Sequence, residues 1–232
     1  MSPMDGGQVP HPCQNGNNQM TRILPGVLAM ATIVVASNIL VQFLILDGLL
    51  TWGAFTYPLA FLVTDVMNRV YGPSAARKVV FSGLVVGIIC SLIGSQIMLQ
   101  GDGYEYPAVA LRIAIGSATA FLIAQLLDIV VFHRLREGSW WKAPLGSTLV
   151  GSTVDTVIFF SIAFAAFFNG LNASAAEEVM WAQDATPFLL TGPDMPLWVT
   201  LAVADWGVKL TIALLALAPF RIIVTRMLLR GA

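Results

Sequence analysis

Six stretches of mainly apolar residues, at about 27–46, 53–71, 79–99, 108–132, 144–168 and 197–219, take up more than half of this 232-residue chain. A helix needs about 20 such residues to cross the hydrocarbon core of a bilayer. Charged residues make up 11% of the sequence and apolar ones 57%, whereas a soluble domain is about a quarter charged. The expected fold is therefore all-α, a polytopic transmembrane bundle of six membrane-spanning helices. Breakers fall between the stretches, among them Asp47-Gly48, Gly72-Pro73, Gly101-Asp102-Gly103 and Gly192-Pro193. Only the 169–196 connection is long, and its Ala173–Gln183 part suits a short surface helix.

Residues 1–22 are polar and rich in Gly, Pro, Asn and Gln, which predicts a disordered tail ahead of a six-span domain at 23–232. A secretory signal would show a short basic start and a shorter apolar core, so the first apolar stretch is expected to be a retained span. Basic residues then set the orientation. Arg22 precedes the first span; Arg69, Arg77 and Lys78 follow the second; Arg134, Arg136 and Lys142 follow the fourth; Arg221, Arg226 and Arg230 follow the sixth. The 47–52, 100–107 and 169–196 connections have none, so both termini are expected in the cytoplasm. Arg112 and Lys209 are the exceptions. Trp52, Trp140, Trp141, Trp181 and Trp198 fall near the predicted boundaries, as interfacial aromatics do.

Five ionisable residues interrupt the apolar stretches: Asp65, Asp128, Asp155, Asp205 and Lys209. Each costs ~2.5–3.5 kcal/mol to insert into lipid, so together they point to a polar site inside the bundle. Asp65 and Asn68 are three residues apart in the second span, and so are Gln125 and Asp128 in the fourth. That spacing puts each acid and amide on one helix face. The two segments also echo each other at an offset of sixty residues, Ala60–Asn68 against Ala120–Asp128, the pattern a parallel internal repeat leaves. Asn38 and Gln42 share a face of the first span, and Gln96 adds an amide near the end of the third. Ser152, Thr153, Asp155 and Thr156 cluster deep in the fifth. Asp205 and Lys209 are four apart, acid first, which favours mutual pairing. The remaining acids have no basic partner on their own helix. Asp65 and Asp128 lie close enough to a boundary to reach Arg69 or Arg134 instead.

Carboxylates accept paired N–H bonds, and amides both donate and accept. A guanine-like edge, with adjacent N–H donors beside a carbonyl, is chemically suited to such a set. Phe55, Tyr57, Phe159, Phe160 and Trp206 offer stacking faces, or serve as core and lipid-facing packing. Catalytic and metal sites are not expected. No span aspartate precedes a glycine, as in intramembrane aspartyl proteases, and no His-Glu-x-x-His motif occurs. Cys13 and Cys90 form no disulfide framework. No cofactor and no nucleic-acid partner is expected.

The run Thr56 to Gly72 (TYPLAFLVTDVMNRVYG), followed by Ala76-Arg77-Lys78, resembles the queuosine precursor transporter family, a branch of the vitamin uptake transporters. Ala36-Ser37-Asn38, Gln125 to Asp128, Ser152 to Phe164 and Lys209 match it too; the family typically has Glu where this chain has Arg69. The resemblance covers about residues 27–225. It implies a bacterial inner-membrane protein that imports the 7-cyano and 7-aminomethyl 7-deazaguanine bases. The expected substrate-binding residues are Asp155, Asp65, Asn68, Gln125, Asp128, Asn38 and Lys209. The alternative is a substrate-binding membrane subunit energised by an ATPase partner, since the chain has no phosphate-binding loop of its own; a homo-oligomer is also left open.

Overall fold

The computed structural model describes residues 12–40, 43–46, 49–101, 105–171 and 176–231. Among the described residues, seven α-helices of four residues or more carry the fold: α1 (Pro12–Leu40), α2 (Gly53–Thr56), α3 (Leu59–Tyr71), α4 (Pro73–Gly94), α5 (Leu111–Leu135), α6 (Lys142–Phe164) and α7 (Leu197–Gly231). Five of them hold stretches long and apolar enough to cross a membrane, at 21–40, 73–94, 111–135, 142–164 and 197–229. The chain is a helical polytopic membrane protein.

The second expected span, 53–71, is not one such helix. Pro58 has no amide proton to give, and α2 and α3 part at Tyr57-Pro58. Both residues keep right-handed helical backbone angles, so the path runs on through the break. Span ends also move, for a common reason: hydropathy counts apolar strand residues as helix. Leu44–Ile45 (β1) pairs with Leu50–Thr51 (β2), and Met98–Gln100 (β3) with Glu105–Pro107 (β4). The first and third spans therefore stop at Leu40 and Gly94. At its other end α1 begins at Pro12, inside the stretch expected to be a disordered tail; proline suits a first helical turn. Residues 1–11 lie outside the described residues, as does Gln42. In the long connection, the described part of Ala173–Gln183 shows α-helical residues at 176–177 and a 3-10 turn at Met180–Gln183. A hairpin of Ala185–Pro187 (β5) and Asp194–Pro196 (β6) follows.

Cross-helix pairs give the direction of each helix. Thr64 bonds Gln125 and Asn68 bonds Ile129, at one constant offset, so α3 and α5 run parallel. Met30 packs on Gly83 and Val34 on Gly87, again at a constant offset, so α1 and α4 run parallel. Tyr57 and Asp65 meet Asp155 and Ser147 in reversed order, which makes α6 antiparallel to α3. Ser37 meets Thr56 and Gly26 meets Met67 in reversed order, so α1 is antiparallel to α3. Thr156 meets Asp205 and Trp140 meets Arg221 in reversed order too, so α7 is antiparallel to α6. The six segments thus alternate in direction, with α2 and α3 counted as one.

The α5–α6 pair is the most closely packed in the bundle, and glycine permits it. A Cβ on Gly151 would stand 2.8 Å from Phe61 Cε1 and 3.4 Å from both Ala124 O and Asp128 Cβ. Arg112, the outlying basic residue, closes the far end of this pair. Buried at the start of α5, it donates Nε to Ile162 O at 2.7 Å, Nη1 to Asn169 Oδ1 at 2.6 Å, and Nη2 to Ala165 O. Those acceptors lie at and just beyond the α6 C-terminus, where carbonyls lack helical partners. Arg112→Met keeps the bulk and removes the clamp. The expected loss is about 1.5–3 kcal/mol for charge-assisted bonds of this kind, read as a lower thermal midpoint in detergent. An unchanged midpoint would contradict the clamp.

Candidate functional site

The α3 face that begins with Thr64 is polar and wholly buried, because α5 and α6 both close over it. Asp65 is 2% exposed and accepts from Ser147 Oγ at 3.1 Å and Thr148 Oγ1 at 3.3 Å, both on α6. Thr64 Oγ1 donates to Gln125 Oε1 at 2.6 Å, and Asn68 Nδ2 donates to Ile129 O at 3.0 Å. Asp128, fully buried on α5, turns its carboxyl toward Asp65 and Ser147. The acid–amide pairs of the two helices therefore form one cluster.

That cluster is incomplete. Asn68 Oδ1, Gln125 Nε2 and both Asp128 carboxyl oxygens find no hydrogen-bond partner among the described residues. Leaving a buried polar atom unpaired costs about 1–3 kcal/mol, and more for a charged group. Such atoms call for an explanation, and a bound molecule is one. Arginine does not supply it. Arg69 Nη1 instead donates to Arg136 O at 2.7 Å, and the only ion pairs among the described residues belong to Lys209. Asp65 and Asp128 are interior acids, not boundary anchors.

A second polar layer lies about 10 Å further along α6, at ~1.5 Å per residue from Thr148 to Asp155. Here Lys209 Nζ on α7 is 2.6 Å from Asp155 Oδ2, 2.5 Å from Asp205 Oδ2 and 3.0 Å from Thr156 Oγ1. Tyr57 OH donates to Asp155 Oδ1 at 3.2 Å, and its ring lies 5.7 Å from the ammonium. Thr156 Oγ1 also donates to Asp205 Oδ2 at 3.2 Å. The expected Asp205–Lys209 pair thus forms, but Lys209 is shared with Asp155, whose partner comes from another helix. Two carboxylates face one ammonium. Unlike the first layer, this one has its hydrogen bonds satisfied.

Between Asp65 and α7 a crevice of about 10 Å³ remains, lined by Pro58, Phe61, Thr148, Ala213 and Phe220. That is about the room one water needs. The helices are closed over the cluster, with no room for anything much larger than that.

Of the seven expected binding residues, Asp65, Asn68, Gln125 and Asp128 meet in the first layer, and Asp155 and Lys209 in the second. Asn38 joins neither set of bonds; its Nδ2 donates to Val34 O on its own helix at 2.9 Å. Gln96 is exposed and bonds Ser95. Of the expected stacking residues only Tyr57 reaches a charged group. Phe159 packs edge-on against Phe160 and Phe164, Phe55 lies against Trp52, and Trp206 Nε1 donates to Thr153 Oγ1 at 3.0 Å. Sequence reasoning missed Thr64, Ser147 and Thr148. The signal was present: small or polar pairs recur every four residues along α6, at 147–148, 151–152 and 155–156, the stripe a buried helix face leaves.

The model of a family described as "Putative vitamin uptake transporter" matches residues 51–224. A "Queuosine precursor transporter" of Escherichia coli is 32% identical over 207 residues, covering 85% of this chain and 84% of the relative. A "Probable queuosine precursor transporter" of Haemophilus influenzae is 35% identical over 187 residues, covering 78% and 70%. A Bacillus subtilis protein with the same description is 32% identical over 128 residues, covering 49% and 56%. No solved structure matches.

Proposed function

The chain belongs to the vitamin uptake transporter family, and from that premise we propose that it imports queuosine precursors, the 7-cyano and 7-aminomethyl 7-deazaguanine bases. One observation in the site carries the substrate reading. The unpartnered atoms of the first layer are two carboxylate acceptors on Asp128 and one amide donor on Gln125. A guanine edge presents the complement: a ring N–H and an exocyclic amine for the carboxylate, and a carbonyl for the amide. Asn68 Oδ1 supplies a further acceptor. Asp65, held by Ser147 and Thr148, keeps the Asp128 side of the pocket acidic. A base carrying N–H donors would relieve two facing carboxyls that no cation touches.

Asp155 and Lys209, in the deeper layer, complete the path the base takes through the bundle. Transport requires α7 to move away from α3 and α6, because the crevice between them admits no more than about one water. Uptake of labelled precursor bases into cells unable to make queuosine tests the function. Accumulation is expected only when the protein is present, and equal accumulation without it would overturn the proposal.

The membrane is the bacterial inner membrane, with both termini in the cytoplasm. The distribution of basic residues supports this orientation, and so do the alternating helix directions. Arg112 no longer counts against it, since it is spent on the end of α6. Single cysteines placed in the 134–142 and 185–196 connections are expected to label from opposite sides, the first only from within. Labelling of both from one side would sink this topology.

A further inference from the structure

The transport site leaves one other built feature of the bundle unused. Helix α7 is about 52 Å long at ~1.5 Å per residue, against a hydrocarbon core of ~30 Å. Counted from Leu197, the core is used up near residue 217, and Arg221 arrives at headgroup depth. There α7, the end of α3 and the loop between α5 and α6 enclose a cavity of about 230 Å³. Two guanidiniums line it, Arg69 and Arg221, together with Trp140 and Thr225 and the apolar Phe220, Val224 and Leu228.

Both cations are placed. Arg69 is fixed by its bond to Arg136 O at 2.7 Å, and Arg221 lies 4.9 Å over the Trp140 ring. Neither forms an ion pair among the described residues; the ion pairs there are those of Lys209. Glu137, in the same loop, does not line the cavity. Two positive charges therefore face one half-apolar opening at the depth where lipid phosphates lie.

We infer that this cavity binds the phosphate of an anionic phospholipid. The phosphodiester sits between the two arginines, which suit it by geometry as well as charge. The glycerol and the start of the acyl chains turn back past Phe220 toward the hydrocarbon core. A free inorganic anion would leave the apolar Phe220 side of the cavity unused. A zwitterionic headgroup would bring an amine that no lining carboxylate receives.

The test is native mass spectrometry of the full chain in neutral detergent, titrated with phosphatidylglycerol or phosphatidylcholine. Wild type is expected to retain phosphatidylglycerol at least ~10-fold better, and each arginine to account for about fivefold of its binding, as basic groups near a lipid surface do. Arg221→Gln, which alters an exposed side chain, should lower retention about fivefold with the melting temperature unchanged. Adding Arg69→Gln should bring phosphatidylglycerol down to the phosphatidylcholine level. Arg226→Gln, on the same helix but outside the cavity, should behave as wild type. Three results would each overturn the site: no headgroup preference in wild type, equal loss in Arg226→Gln, or displacement of the lipid by millimolar inorganic phosphate. None of these readouts depends on the transported substrate.

Discussion

Lys209→Met is expected to cost the folded protein about 3–5 kcal/mol, the usual result of removing one partner from a buried ion pair. The variant leaves Asp155 and Asp205 facing each other across Thr156 with no cation, where now one ammonium lies 2.6 and 2.5 Å from them. Membrane levels should fall sharply, and the remaining protein should melt early. The triple variant Asp155→Asn/Asp205→Asn/Lys209→Met removes all three charges at nearly constant shape. Since a buried ionic set can often be replaced by neutral groups without loss, its level should recover. Recovery of level without recovery of transport separates use of these groups in transport from mere stability. A single Lys209→Met protein that folds and melts like wild type would contradict the ionic account of this layer.

The first layer predicts the opposite pairing of effects. Asp128 takes no hydrogen bond from any described residue, so Asp128→Asn removes a buried carboxyl whose two oxygens nothing in the chain pairs. Its level and melting temperature should match wild type or exceed it. Transport should nevertheless fall, because one acceptor becomes a donor and meets an N–H of the base. A buried mismatch of this kind costs about 1–3 kcal/mol, equivalent to roughly 5- to 150-fold in affinity. Gln125→Ala should weaken uptake in the same range, with the Thr64 hydroxyl left to the Ala60 carbonyl as its acceptor. Stability gained while activity is lost is the signature of a site held in a costly arrangement for use. A fall in protein level with normal transport per molecule would decide against the site.

How much of this was legible in the sequence depends on the length scale of each signal. The all-α membrane class was plain, since 20-residue apolar stretches have few other fates. Span ends were not: Leu44–Ile45 and Met98–Gln100 are as apolar as the helices they follow, and only their strand partners mark them off. The acid–amide faces of α3 and α5 were readable because i,i+3 spacing is local. Their meeting was suggested by the matched acid–amide pairs on two spans of the same direction, and the structure gives the sixty-residue echo a physical form. Ala60, Phe61, Asp65 and Asn68 are buried, and so are their counterparts Ala120, Phe121, Gln125 and Asp128. Pairing between helices left no local trace. Asp155 has no partner on α6, and Lys209, fifty-four residues later, has a nearer acid on its own helix. The bond between them follows from the packing of α6 on α7, which no spacing rule encodes. Arg112 shows the same limit: it stands out as a misplaced charge until the end of α6 is set against it.

The most direct measurement of the central claim is competition for labelled-base uptake by two unlabelled 7-deazapurines, one with the exocyclic amine of guanine and one without. If Asp128 reads the paired N–H edge, wild type should need at least ~10-fold more of the amine-free analogue for half inhibition, the low end of what a buried unpaired acceptor costs. In Asp128→Asn, where the carboxylate no longer offers two acceptors, that difference should largely vanish. Equal inhibition by both analogues in wild type, or an undiminished preference in Asp128→Asn, would contradict the assignment of this buried carboxylate to the guanine edge.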